Sequence, residues 1–564
     1  MKGKPWHKHY DPGIILQPEY VQIPLKDQYK AWVEKQPDKP YIYYSDRTLT
    51  YQEVNSMACR LANAMLKIGV KKGDRVAITL PNISEFVVIV QACWKIGAII
   101  VPTNPNYTKR ELSYQYADSG AETVFCYDRM CEYTLEILRE KHDSLKQAII
   151  ISRSHSGILP DNEGVYDYNQ FLGLGEAIEP EIDISVEDIV LIIYTGGTTG
   201  VSKGCCITNS NEIAIASGWM QMCKYFTDIT NYRVLNSIPL YHIYGFHTSI
   251  NTNIYVGGSI IIVPQCTPDK ILEAINRHEP NVWAAVPPLI SALTRHPGLA
   301  GSKATKLQQI ACGAAPIPVN EMEAFEKIVG VPIIEGYGAS ETSNAVASNP
   351  IRKRKVGSIG IPYPNIDFKV VDAETGTKIL PPGETGELCF KGPQVVKGYW
   401  QNPRETAVAF RDGWWHSGDI GYMDKDGFIF IVDRKKDMIL CSGFNVYSVE
   451  VDRVLCSHPK ILEAGVIGVP DPKRGETVKA FVVLKPGEEM TEDEVKLFCH
   501  EYLTAYKVPT IVEFIDELPR TSVQKLDRKA LRTMELEKAK TRELKKVKQK
   551  LKQNMDVLRF VGLA

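Results

Sequence analysis

Short apolar runs at 76–80, 99–101, 123–126, 149–151, 190–194, 234–238, 259–263 and 282–286 have the length of buried strands. Stretches with helical spacing separate many of them. Between 51 and 70, Leu61, Met65 and Ile68 share one face and Gly69 stops the pattern, which predicts an amphipathic helix. The longest apolar stretch, 86–101, is broken by Gln91, Lys95 and Gly97. It predicts a buried helix leading into a buried strand, since a membrane span needs about 20 apolar residues. Strands alternating with helices argue for an α/β fold of layered, largely parallel sheets.

The texture changes near residue 434. An apolar run at 428–432 reads as a strand, and the charge cluster Asp433-Arg434-Lys435-Lys436-Asp437 follows it. About a hundred residues then carry their own short strands and helices. One run is 480–484; one helix is opened by Thr491 with Glu494 three positions on, a capping box. The division expected is a large N-terminal domain over 1–433, a small α+β C-terminal domain over 434–535, and a basic helical tail over 536–564. From Glu535 to Lys552 eight Lys/Arg stand against three Glu, and Leu544, Val547, Leu551, Met555 and Leu558 recur at spacings of three and four. A helix packed on the body or on a second subunit fits that pattern, and so does a membrane-surface helix.

With 564 residues the chain is long enough for two domains and a large core. Its net charge of −1 points to neither nucleic acid nor an anionic membrane as the bulk partner. The 13 cysteines are scattered without a Cys-x-x-Cys pair, which suits a reducing compartment and argues against a zinc site. The N-terminus has no apolar core and is not expected to be a secretory signal; a cytoplasmic enzyme is the expectation.

The most chemical segment follows the run at 189–193. Tyr194-Thr195-Gly196-Gly197-Thr198-Thr199-Gly200-Val201-Ser202-Lys203-Gly204 packs glycines, hydroxyls and an ammonium into one turn. Small residues let backbone N–H groups approach a polyanion, and the hydroxyls and Lys203 add donors. This is the chemistry of a nucleotide-triphosphate loop, without the Gly-Lys-Ser/Thr of the Walker pattern. A glycine-rich hairpin turn is the alternative.

Further motifs follow in order. They are Pro239-Leu-Tyr-His242-Ile-Tyr-Gly245, Cys312-Gly-Ala-Ala-Pro316, Glu335-Gly-Tyr-Gly-Ala-Ser-Glu-Thr342, Gly386-Glu-Leu-Cys-Phe-Lys-Gly392, Trp414-Trp-His-Ser-Gly-Asp419, Ser442-Gly-Phe-Asn445 and Pro519-Arg-Thr-Ser-Val-Gln-Lys525. Over about residues 25 to 530 the set resembles the adenylate-forming superfamily, and its N-terminal Lys4-Pro-Trp-His-Lys-His resembles bacterial medium- and long-chain fatty acyl-CoA synthetases.

That resemblance implies a two-step ligase. A carboxylate attacks the α-phosphate of ATP, giving an acyl-adenylate and pyrophosphate; the thiol of coenzyme A then displaces AMP. It implies that Thr195, Gly196, Gly197, Thr198, Thr199, Gly200, Ser202 and Lys203 cradle the phosphates, with Thr195 and Glu341 linked to Mg²⁺. Gly313, Ala314, Ala315, Glu335, Gly336, Tyr337 and Gly338 would surround the adenine. Asp419 would take the ribose hydroxyls and Arg434 the ribose or a phosphate. Lys525 would stabilise charge at the α-phosphate. Lys436 matches the hinge about which a mobile small domain rotates, and Gly443 and Phe444 match the coenzyme A tunnel. His242 matches a gate at the acyl pocket, with Tyr244, Trp283, Val286 and Gly313 as apolar lining. Two positions depart from the pattern: Gln524 where glycine is usual before the lysine, and Leu440 where many fatty-acid relatives carry lysine.

No carboxylate lies in 239–245 to hold a substrate ammonium, and no carrier-domain segment follows 530, so an amino-acid-activating role is disfavoured. A fatty acid is the favoured substrate and an aryl or cyclic carboxylate the second reading. A nucleotide-binding scaffold without catalysis is the alternative from another class, resting on Gln524 and Leu440 alone.

Overall fold

The computed structural model describes residues 4–140, 144–152, 164–195, 202–441, 444–521, 525–538 and 540. The chain divides into two compact units: 1–417 with 422–430, and 418–421 with 431–564.

The first unit is built on two large sheets. One has seven strands in the order Val165–Asp167, Gln147–Ile151, Thr123–Tyr127, Arg75–Thr79, Ile99–Pro102, Ile189–Thr195, Lys203–Thr208. Its neighbours run parallel until the last pair, which is antiparallel. The other has nine strands, and its middle (Ile333–Tyr337, Gln309–Cys312, Val282–Ala285, Arg233–Asn236, Ser259–Ile262) is parallel throughout. Parallel strands need crossover helices on their faces, which is why these strands read as continuous apolar runs rather than alternating ones.

Local signals place the elements. The helix Tyr51–Lys67 starts at Thr50, whose hydroxyl accepts from the Glu53 N–H while the Glu53 carboxylate accepts from the Thr50 N–H. It ends before Gly69, whose φ of +93° costs a glycine nothing. The apolar stretch becomes the helix Ser84–Ile96 and the strand Ile99–Pro102. That helix is buried on nearly every face, Lys95 included, whose ammonium lies 2.6 Å from Glu179. No described helix is long and apolar enough to cross a membrane. A third sheet holds Asp367–Val371, Gly386–Lys391, Trp414–Met423 and Phe410–Arg411.

The second unit has its own core, formed by residues such as Ile439, Val451, Leu455, Val466, Ala480 and Val495. Its sheet runs Phe444–Val446, Ile439–Cys441, Gly475–Leu484, Ile461–Asp471, with Ile511–Phe514 beside Gly475–Leu484. The helix Glu492–Tyr502 begins with the Thr491–Glu494 capping box. Residues 528–538 are helical, and Glu535 and Lys538 belong to a charge network. Lys479, with 2% of its side chain exposed, pairs with Glu513 at 2.8 Å and with Glu535, and Lys538 pairs with Glu513. The remainder of the tail, with Leu544 to Leu558, lies outside the described residues.

Candidate functional site

Four candidate segments emerge at the same edge of the nine-stranded sheet. Each leaves the C-terminal end of a parallel strand. The strand Arg233–Asn236 leads to Pro239–His242, and Val282–Ala285 to Val286. Gln309–Cys312 leads to Gly313–Ala315, and Glu335–Gly338 closes the neighbouring strand, with Cys312 paired to Glu335. In open α/β sheets the crevice beyond the strands' carboxyl ends is where ligands bind, because loops there converge while the strands stay rigid.

Backbone strain marks this edge. Ala314 has φ +70°, a left-handed conformation that costs an alanine energy. Gly338 runs so close to the Asn344 carbonyl that a Cβ would sit 1.5 Å from its oxygen. Gly313 is different: a Cβ there would make ordinary 3.6 Å contacts with the Tyr244 ring and the Gly336 carbonyl. The Tyr337 ring lies 5.7 Å from Phe390, and its carbonyl accepts from the Val346 N–H at 2.9 Å.

His242 caps the helix Ile243–Phe246. Its Nδ1 accepts from the Tyr244 N–H at 3.2 Å, so the proton of the neutral ring sits on Nε2. Tyr244 turns inward, its hydroxyl 3.0 Å from the Ala311 carbonyl, and packs with Ile238, Ala284, Val286 and Ala314. Trp283 does not join them. It points to the opposite face of its strand, fully buried with Phe325, Ile310 and Ile290, its Nε1 donating to Ser237 Oγ at 2.9 Å. Alternation along Val282–Ala285 puts Ala284 beside Tyr244 and Trp283 in the opposite core, so Trp283 does not stand with the other residues expected to line an acyl pocket, which corrects that expectation.

The glycine-rich segment joins antiparallel strands, with Thr195 in register with Lys203. It is therefore a hairpin connection and not a strand-to-helix turn, and any anion-binding power comes from its own amides and side chains. Gly196, Gly197, Thr198, Thr199 and Gly200 lie outside the described residues. Their two shoulders are described. Ser202 Oγ donates to the Thr195 carbonyl, and the Tyr114 hydroxyl donates to the Ser202 carbonyl at 2.8 Å. The Tyr194 hydroxyl donates to Asp118 at 2.6 Å. Tyr114 and Asp118 stand one turn apart on the helix Lys109–Ser119, so one helix braces both shoulders. Lys203 pairs with Glu405, and its ammonium lies 5.2 Å from the centre of the Tyr399 ring. The Tyr399 hydroxyl donates to Glu341 at 2.8 Å.

Glu341 and the Thr195 hydroxyl are hard oxygen donors of the kind Mg²⁺ takes alongside water and phosphate. A neutral hydroxyl orients the Glu341 carboxylate without neutralising it. The residues thus fit the metal, though no group of three or more His, Cys, Asp or Glu that could hold an ion occurs among the described residues.

The second unit gathers the other charged candidates. Arg434 Nε lies 2.7 Å from Asp419 Oδ1, and the Lys435 N–H donates to the Gly418 carbonyl at 2.8 Å. Burial, then the nearby positive charges of Arg434 and Lys436, push the Lys525 ammonium down to about 8; Asp419 opposes them. Lys436 is likewise pushed down to about 8, chiefly by burial. So Asp419 sits among three cations. Phe444 is 56% exposed and stacks on Tyr506 at 4.7 Å. Leu440, 52% exposed, donates its N–H to Glu476 at 2.8 Å. Gly443 and Gln524 lie outside the described residues.

Comparison with known proteins decides the family. Residues 29–400 match the AMP-binding enzyme model and residues 450–525 its C-terminal domain model. The chain belongs to the AMP-binding enzyme family. Among curated AMP-binding enzymes it is similar to a long-chain-fatty-acid–CoA ligase of Bacillus subtilis (strain 168), with 36% identity covering 93% of this chain and 97% of the relative. A feruloyl-CoA synthase of Amycolatopsis is 32% identical, covering 87% and 94%. Among solved structures, ATP-bound MatB of Rhodopseudomonas palustris superposes with a TM-score of 0.82 at 30% identity, covering 91% of this chain and 99% of that one.

The residues that sequence reasoning missed in this AMP-binding enzyme are Tyr114, Asp118, Tyr399 and Glu405. Each is far along the chain from the loop it serves, and nothing in its local spacing signals the contact.

Proposed function

We propose that this AMP-binding enzyme joins a medium- or long-chain fatty acid to coenzyme A, with ATP converted to AMP and pyrophosphate through an acyl-adenylate. The observation that carries the reading is the convergence of 239–242, Val286, 313–315 and 335–338 beyond the carboxyl ends of one parallel sheet, in a chain whose curated relatives include fatty-acid–CoA ligases.

In this reading the shoulders Thr195, Ser202 and Lys203 hold the phosphates of ATP. Glu341 and the Thr195 hydroxyl would hold Mg²⁺, which would supply positive charge to the bound phosphates. Tyr337 packs on the adenine and the 313–315 turn flanks it. Asp419 accepts from the ribose hydroxyls, and Arg434 orients Asp419. Lys525 stabilises the charge that grows at the α-phosphate, a preorganised ammonium being worth more there than in the ground state. His242 orients the carboxylate; no general base is required because the acid is already ionised at neutral pH. Lys436 is the pivot for the second half-reaction, and Gly443 with Phe444 lines the thiol's approach.

The acyl end rests on Tyr244, Val286 and Gly313, an apolar wall with ordinary space beside Gly313. The same tyrosine face suits an aryl or cyclic carboxylate, as the feruloyl-CoA synthase relative also suggests. A panel of C2 to C18 acids plus benzoate and ferulate, read by coenzyme A-dependent AMP release, separates the two. The highest kcat/KM is expected among the longer fatty acids. A clear preference for the aryl acids would replace the fatty-acid assignment, and no AMP release with any acid would replace the ligase reading.

A further inference from the structure

The lysine assigned to the phosphates, Lys203, and the carboxylate assigned to Mg²⁺, Glu341, are far apart in sequence, yet both are held by one short segment, 399–406. Its backbone lies along the strand Lys203–Thr208. The Trp400 N–H donates to the Gly204 carbonyl at 2.7 Å, the Cys206 N–H donates to the Gly398 carbonyl at 3.2 Å, and Cys205 and Tyr399 form an antiparallel bridge. The segment is itself tied. The Tyr399 N–H donates to Thr406 Oγ1 at 3.0 Å, Thr406 Oγ1 donates to the Asn402 carbonyl at 2.7 Å, and Asn402 Oδ1 caps the helix Pro403–Ala409 by accepting from the Glu405 N–H at 3.1 Å.

From this frame two side chains reach the phosphate site. Glu405 pairs with Lys203, whose ammonium holds the Glu405 carboxyl below its usual range. Tyr399 donates to Glu341 at 2.8 Å, and its ring also faces the Lys203 ammonium.

We propose that the 399–406 segment is a positioning strap for the phosphate site, with Glu405 holding the Lys203 ammonium and Tyr399 orienting the Glu341 carboxylate. The proposal rests on the adenylating reading of the loop and adds the residues that prepare it. A lysine side chain loses much rotamer freedom when it is ordered. Here that ordering precedes nucleotide binding, because Glu405 and the Tyr399 ring already confine the ammonium. A hydrogen bond from outside the metal's ligand set likewise fixes how a carboxylate presents its oxygens.

The test is binding of MgATP to the full chain by calorimetry, with steady-state kinetics beside it. Glu405→Ala is expected to weaken MgATP about tenfold, in both Kd and KM, while KM for acid and coenzyme A stays level. Glu405→Gln, which keeps the shape and one acceptor, is expected to restore part of the loss. Tyr399→Phe is expected to raise the Mg²⁺ concentration for half-maximal rate about tenfold without moving KM for the acid. Tighter MgATP binding in Glu405→Ala would show a latch that restrains Lys203 and would overturn the proposal. Unchanged MgATP binding in both Glu405 variants would overturn it too, as would equal increases in all three KM values. Calorimetry needs neither acid nor coenzyme A. A wild-type chain that binds MgATP but makes no acyl-CoA would therefore sink the ligase reading while leaving the strap to be judged on its own variants.

Discussion

Arg434 and Asp419 are partners before any nucleotide arrives: the guanidinium Nε stands 2.7 Å from a carboxylate oxygen that is almost wholly buried. A buried carboxylate needs such a donor to satisfy its oxygen and to keep its orientation. Losing a hydrogen bond to a charged group costs about 1.5–3 kcal/mol. Arg434→Ala is therefore expected to raise KM for ATP roughly tenfold or more, measured by pyrophosphate release, with KM for coenzyme A changed much less.

Lys525 gives a pH signature. Its ammonium is pushed down from 10.5 to about 8, so the charge assigned to the α-phosphate is lost as pH rises through about 8. The adenylation half-reaction should fall on the alkaline side with a midpoint near that value. Lys525→Arg should remove this limb from whatever activity remains, because a guanidinium stays charged. The stability effect has the opposite sign. A lysine whose folded-state value lies below its unfolded one costs stability while it is charged, below about pH 8, and that cost fades between about 8 and 10.5. Lys436 is held near the same value, so Lys436→Ala is the control: if it alone abolished the limb, the assignment to Lys525 would be wrong.

Trp283 belongs to the interior core, so its loss should be felt in stability and not in substrate choice. Trp283→Ala is expected to cost about 3–5 kcal/mol, seen as a lower Tm. The preference across the acid panel should stay the same in the folded fraction. Val286→Phe, on the Tyr244 side, should shift that preference toward shorter acids with a small change in Tm. A changed acid profile in a mild variant such as Trp283→Phe would return Trp283 to the pocket.

Near the tail, Glu535 is tied into the second unit. It pairs with Lys479, a buried ammonium also held by Glu513. Glu535→Ala leaves that ammonium one partner short and should lower stability by about 1–3 kcal/mol. Cutting the chain after residue 540 keeps both Glu535 and Lys538 and should leave Tm and activity near wild type. A collapse on that cut would show that the last segment packs as core.

Much of the fold was legible in one dimension. The apolar runs of the first unit became its parallel strands because strands covered on both faces carry no polar alternation. The Thr491–Glu494 pair opened its helix because a capping box acts within one turn. Within the candidate site, the sequence marked where the backbone leaves no room for a side chain. Gly338 is such a case: any side chain there would collide with the Asn344 backbone.

Trp283 shows where that reading ended. A strand's side chains alternate between two faces, and the sequence did not say on which face Trp283 would fall relative to Tyr244; the helices packed on its side decided it. Glu405 shows the same limit for charge. Its role depends on a carboxylate and an ammonium some two hundred positions apart being brought together, and only the pairing of 398–400 along Lys203–Thr208 does that. Local backbone preferences and short motifs act within a few residues, so the chain determined them alone. Which face is inside, and which distant charge answers which, are properties of packing, and the tertiary structure decided them.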